Sequence, residues 1–170
     1  MMERKYGLDM HLPENKLPGF YAQIVKGIAE RAELFDRHRE LLIFDSPAAY
    51  PPVFEMLAHY KVEAEPCELL MFSEESVCFR SGRFEDFAFA TRAGNVYVDL
   101  AYTAVFRLTE ARPGAESAPA LLQLEEHRIA DVCEDGQTWH LIESQLAELA
   151  ERVARAYGCG VEWFTREPQL

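Results

Sequence analysis

Polar and apolar positions alternate most clearly in the middle of the chain. Between residues 95 and 108, Val96, Val98, Leu100, Tyr102, Ala104, Phe106 and Leu108 fall on one side of an extended backbone. Tyr97, Asp99, Ala101, Thr103, Val105 and Arg107 fall on the other. A period of two sustained over that length predicts one long β-strand, bent or bulged to fit a sheet. Shorter apolar runs predict strands over 40–45, 69–72 and 77–80, with one or two more over 121–133 and a last one over 160–164. Ser81-Gly82 reads as a two-residue hairpin turn from 77–80 into a strand over 84–91, placing Arg80 opposite Arg83 and Cys78 opposite Glu85. Gly94-Asn95 and Glu134-Asp135-Gly136 read as further turns.

Helical spacing replaces alternation in three places. Leu17, Phe20, Ile24, Ile28 and Phe35 share one side of a helix over 18–37, interrupted by Gly27, whose small size allows another element to approach closely. Three prolines punctuate 46–52, and a helix over 52–60 follows, with Val53, Met56, Leu57 and Tyr60 inward. Thr138 caps a long helix over 139–157, whose stripe is Trp139, Ile142, Leu146, Leu149, Val153 and Ala156. Gly158 stops it as a left-handed residue. Residues 1–16 and 165–170 read as loose ends and 109–120 (TEARPGAESAPA) as a flexible loop. The order of elements predicts one α+β domain over 1–170. It has an antiparallel meander of about five to seven strands, N-terminal helices, and a C-terminal helix packed on one face.

Composition adds a sign to this outline. Over 170 residues, 29 acids face 17 Lys and Arg, a formal net charge of −12. A nucleic-acid binder or an anionic-membrane binder needs the opposite balance, so neither partner is expected. No run approaches a membrane span, and the N-terminus lacks the apolar core of a secretory signal, so the expected location is the cytoplasm. Cys67, Cys78, Cys133 and Cys159 form no C-x-x-C pair and read as reduced thiols, with Cys78 and Cys133 in the core and disulfide pairing as the alternative. Arg outnumbers Lys, as in proteins from GC-rich bacterial genomes.

No phosphate-binding glycine loop, H-E-x-x-H pair or G-x-S-x-G elbow is present, so no catalytic residue, metal or cofactor is assigned. The acids are uneven. Glu63, Glu65, Glu68, Glu74 and Glu75 occupy a stretch without a base, and Glu125, Glu126, Asp131, Glu134 and Asp135 form a second group. Two acidic turn-rich segments in a chain without catalytic motifs point to a non-enzymatic protein that binds a basic protein partner. The concrete version is an inhibitor or immunity-type protein occluding a toxin or secreted effector. The alternative is a small-molecule binder or enzyme, with a pocket between the curved sheet and the C-terminal helix lined by Tyr97, Asp99, Thr103, His127 and His140. Asp99 is the carboxylate to watch, since burial would make it a site candidate. His127, Asp131 and His140 are the set to test for a metal. Edge-strand pairing would also allow a homodimer.

Overall fold

The computed structural model describes residues 2–164 and is α+β, with antiparallel sheets. The expected looseness of residues 165–170 concerns residues outside that range. The N-terminal segment is not loose. Glu3–His11 forms β1, a central strand paired on both sides, with β3 (Leu41–Phe44) and β4 (Glu63–Ser73). Its alternation explains this. Tyr6, Leu8 and Met10 are 5%, 0% and 1% exposed on one face, while Lys5, Gly7 and Asp9 point to the other. With β2 (Asp36–His38), β6 (Ala88–Ala90) and β7 (Asn95–Asp99), these strands form a six-stranded sheet in the order β2-β3-β1-β4-β7-β6.

A second sheet has the order β11-β8-β10-β9-β5, from β5 (Val77–Arg80), β8 (Thr103–Glu110), β9 (Ala130–Glu134), β10 (Gln137–Glu143) and β11 (Cys159–Trp163). The first sheet's outer face is covered twice over. Helices α1 (Pro18–Arg31) and α2 (Tyr50–His59) pack Ile24, Ile28, Val53 and Leu57 against Leu8 and Leu42. Alongside, Leu70, Phe72, Val96 and Val98 meet Val105, Val132 and Leu141 of the second sheet. That sheet's far face carries Phe106 and Ile142, covered by Leu124 and by Ala150 of α5 (Ala147–Ala156). Gly27 allows the α1–α2 approach: a Cβ there would stand 2.5 Å from Met56 Sδ.

Several sequence expectations are corrected. The long strand over 95–108 is two strands in two sheets. The Asp99 carboxylate accepts the Ala101 N–H at 2.8 Å and the Asp99 carbonyl accepts the Tyr102 N–H at 3.1 Å, which turns the chain. Alternation changes phase at that turn, so Val96 and Val98 share their core with Val105, while Tyr102 is 67% exposed. The hairpin through Ser81-Gly82 does not form. β5 pairs with β9 instead, and the chain passes through a one-turn helix, α3 (Phe84–Phe87), into the first sheet. Residues 121–129 are not strand. α4 (Ser117–Gln123), with Pro119 in its first turn where a missing N–H costs nothing, places Ala120 and, one residue past its end, Leu124 on one buried side. Residues 137–143 are strand rather than helix, because a short apolar run fits either period. Thr138 therefore caps nothing, and α5 begins at Ala147. α1 spans only Pro18–Arg31; Leu17, at its N-cap, is 80% exposed, and Phe35, beyond its end, is 38% exposed. Gly158 does end α5 in the left-handed region, at φ 76°.

The cysteine reading is corrected as well. Cys78 and Cys133 are exposed rather than core, and are joined as a disulfide with Cα atoms 6.0 Å apart. Cys67 and Cys159 are free. No helix among the described residues is long and apolar enough to cross a membrane.

Candidate functional site

The first sheet curls until its outermost strands approach each other. No ladder joins β2 to β6, so side chains close the seam. His38 of β2 stacks on Phe89 of β6 with ring centres 4.7 Å apart, and Phe89 stacks on Tyr97 at 5.4 Å. Asp36 of β2 reaches across to the other edge. Its Oδ2 accepts hydrogen bonds from Thr91 Oγ1 at 2.6 Å, Tyr97 Oη at 2.7 Å and Asn95 Nδ2 at 3.0 Å. Burial acts to raise the Asp36 pKa, but these three bonds and the Arg37 N–H together hold it below the ordinary carboxylate value. Burial and the bond to Asp36 push the Tyr97 phenol up, so it stays a donor. The result is a partly closed barrel whose interior holds Ile43, Leu69 and Tyr97.

Lys5, 5% exposed, lies on the same inner face over the Phe35 ring at 3.9 Å and binds Asp45 and Glu3. Burial acts to lower its pKa, yet those two carboxylates hold it above the ordinary lysine value.

The other end of the barrel is open. A groove of about 990 Å³ lies there, walled by the β2–β3 turn, the first half of β4, and the turn after β7. Its apolar lining includes Leu41, Leu69, Phe89, Leu100 and the exposed Tyr102, and its acids are Asp9, Glu40, Glu65, Glu68 and Asp99. Arg39 and His38 are the basic residues on the lining. Glu68 is paired with Arg4 at 3.2 Å, and Glu65 lies 3.8 Å from His11. Asp9, Glu40 and Asp99 have no Lys or Arg ion-pair partner among the described residues. Asp9 and Glu65 sit directly opposite each other across β1 and β4, a like-charge cross-strand pair that works against the sheet.

Cys67 forms part of the lining between these carboxylates. Burial first, then the charges of Asp99 and Asp9, push its thiol up to about 12. It stays protonated and is a poor nucleophile. It can lie there because residue 7 is glycine: a Cβ on Gly7 would stand 2.6 Å from Cys67 Sγ. No three His, Cys, Asp or Glu side chains among the described residues are grouped to hold a metal ion.

The structure disperses the set proposed for an alternative pocket. Tyr97 supports the barrel interior and Asp99 lines the groove, half-buried. Thr103 is 1% exposed at the start of β8, its Oγ1 without a hydrogen-bond partner. His127 lies in the turn after α4 and does not join the other two proposed metal ligands. Asp131 and His140 do meet, at 2.7 Å, but the third member is Arg128, also 2.7 Å from Asp131. The pair lies on the second sheet's far side, with Phe106 packed on the imidazole at 5.4 Å. No hydroxyl or thiol is bonded to His140 among the described residues, so a nucleophile is missing from what would otherwise be a base and its orienting acid.

The acids proposed for partner binding separate into three places. Glu63 and Glu65 are exposed at the groove end of β4. Glu74 and Glu75 are exposed at its other end, where Glu74 pairs with Arg80; Asp135 is exposed in the β9–β10 turn, and Glu134 binds the Met2 N–H. Glu125 and Glu126 are exposed in the turn after α4. Asp131, at 6% exposure, is committed to its internal pair and presents no charge to a partner. Asp9 and Glu40 were missed, although the β1 alternation Tyr6, Leu8, Met10 would have placed Asp9 on the opposite face.

No family model, curated protein or solved structure matches this chain.

Proposed function

We propose that this chain is a non-enzymatic binding protein that takes a basic segment of a partner protein into the groove at the open end of its six-stranded barrel. The observation that carries this reading is the set of carboxylates with no Lys or Arg ion-pair partner among the described residues, Asp9, Glu40 and Asp99, around a partly apolar concave surface with Tyr102 exposed on its wall. A concave wall on which the acids Asp9, Glu40, Glu65, Glu68 and Asp99 outweigh Arg39 raises the local concentration of a cationic group and speeds its arrival. An exposed tyrosine offers an anchor on which a guanidinium can stack. The carboxylates are spread rather than clustered, which suits several Lys or Arg side chains better than one metal ion. The specific form is an inhibitor of immunity type. Carboxylates can stand where a phosphate would sit, so the groove would cover a basic active face of a toxin or effector and block it sterically. A protonated Cys67 and a His140 without a nucleophile favour occupancy over chemistry.

The test is affinity capture with the wild-type chain and with an Asp9→Asn/Glu65→Gln/Asp99→Asn variant, at low salt and near 1 M salt, where the screening length falls to about 3 Å. Support requires one stoichiometric basic protein, identified, retained at low salt and lost both at high salt and on the variant. Equal capture by the variant removes the groove from the function.

A further inference from the structure

We propose that the Cys78–Cys133 disulfide is a redox-responsive latch on the edge strand β5, distinct from the groove and independent of its proposed role. Strand β5 has four residues and pairs along one side only, with β9. Its ladder slips register between Val77 and Phe79, so Cys78 sits at an irregularity where backbone pairing is weakest. The bond to Cys133 crosses to the neighbouring strand at that point. On either side of β5 lie only single turns, the 3₁₀ turn Glu74–Ser76 and the four-residue α3. Both half-cystines are exposed, so a thiolate can reach the sulfurs. The two free cysteines do not compete. Cys159 is 4% exposed, and the Cys67 thiol is held protonated by burial first and then by the charges of Asp99 and Asp9.

Other ties limit what reduction does. Phe84 is 5% exposed in the core, the Ser81 N–H donates to the Ile129 carbonyl at 2.9 Å, and Arg83 pairs with Glu143 at 2.9 Å. Reduction therefore loosens β5 and the Glu74–Glu75 turn without detaching the whole segment. The reductant is a dithiol. One of its thiolates attacks a sulfur of the bond, giving a mixed disulfide and a cysteine thiolate. Its second thiol then closes the reductant's own disulfide and releases the other cysteine. Two electrons pass from the dithiol to the protein, which ends with two thiols after taking up two protons.

Thiol counting on the full chain, denatured without reductant, should find the two free cysteines, Cys67 and Cys159, and all four after dithiothreitol. Finding four before reduction in aerobically purified protein overturns the proposal. Hydrogen exchange followed by peptide mass spectrometry then compares oxidised protein, reduced protein and a Cys78→Ser/Cys133→Ser variant. The expected result is exchange about tenfold faster across β5 on reduction, with a smaller change in β1 and β4, and the variant matching the reduced form. Unchanged β5 exchange, or equal acceleration throughout the chain, overturns it.

Discussion

Replacing Asp36 by Ala tests how the barrel is held shut. The carboxylate is the shared acceptor for Thr91, Asn95 and Tyr97, and it joins two strands that no backbone ladder connects. Tyr97 is 0% exposed in the intact fold, so without Asp36 its O–H loses its protein acceptor. An orphaned buried donor costs about 1–3 kcal/mol, and bonds to an ionised acceptor are worth about 1.5–3 kcal/mol each before relaxation. Partial relaxation at a surface seam lowers the sum, and we expect a net loss of about 3 kcal/mol. Urea denaturation at pH 7 measures it as a lower midpoint at unchanged slope. The double variant Asp36→Ala/Tyr97→Phe removes the orphaned hydroxyl and should recover about 1 kcal/mol of that loss.

The pH dependence has a fixed sign. The Asp36 pKa is lower in the folded protein than its unfolded value of about 3.9. Its stabilisation is therefore complete above the unfolded value and is lost as pH falls through the folded one. The wild type should lose its advantage over Asp36→Ala in that acidic window. A change under about 0.5 kcal/mol at pH 7, or a double variant no more stable than the single one, would refute the reasoning.

Two other substitutions probe the neighbouring packing. Gly7→Ala places a methyl 2.6 Å from Cys67 Sγ and 3.0 Å from Leu41 Cδ1. It should destabilise by about 1–3 kcal/mol in thermal or urea unfolding, with partial recovery in Gly7→Ala/Cys67→Ala; no recovery would mean that the thiol is not the obstacle. Asp131→Ala leaves the Arg128 and His140 side chains, 16% and 5% exposed, without their shared acceptor. The expected loss is about 3–5 kcal/mol, with less for Asp131→Asn; near-neutrality would show that the pair is not needed for the fold.

What the sequence revealed depended on how local the cause was. The α+β class, the turn at Gly94-Asn95 and the Gly158 helix stop follow from local patterns. The β1 strand was hidden because Gly7, Lys5 and Asp9 break its apolar character on the inner face, where the residues belong to a curled interior and a groove rim. The 95–108 run looks like one strand in sequence because the turn at Asp99 keeps apolar residues at every second position while switching the chain between sheets. The partner choice of β5 and the meeting of Cys78 with Cys133 depend on residues 55 positions apart, beyond any local period. The groove needed both sheet edges to come together, so Asp99 was visible as a carboxylate in a strand but its companions Asp9 and Glu40 were not.

The groove's affinity for basic segments is tested directly by a residue-resolved titration. The isotopically labelled chain would be titrated with a hexa-arginine peptide at low salt and followed by backbone NMR. If the groove takes a basic segment, saturable shifts are confined to the neighbourhood of Asp9, Glu65, Cys67, Asp99 and Tyr102 and are lost in the Asp9→Asn/Glu65→Gln/Asp99→Asn variant. Shifts centred instead on Glu74, Glu75 and Asp135, or spread evenly over the acidic surface without saturation, would contradict it.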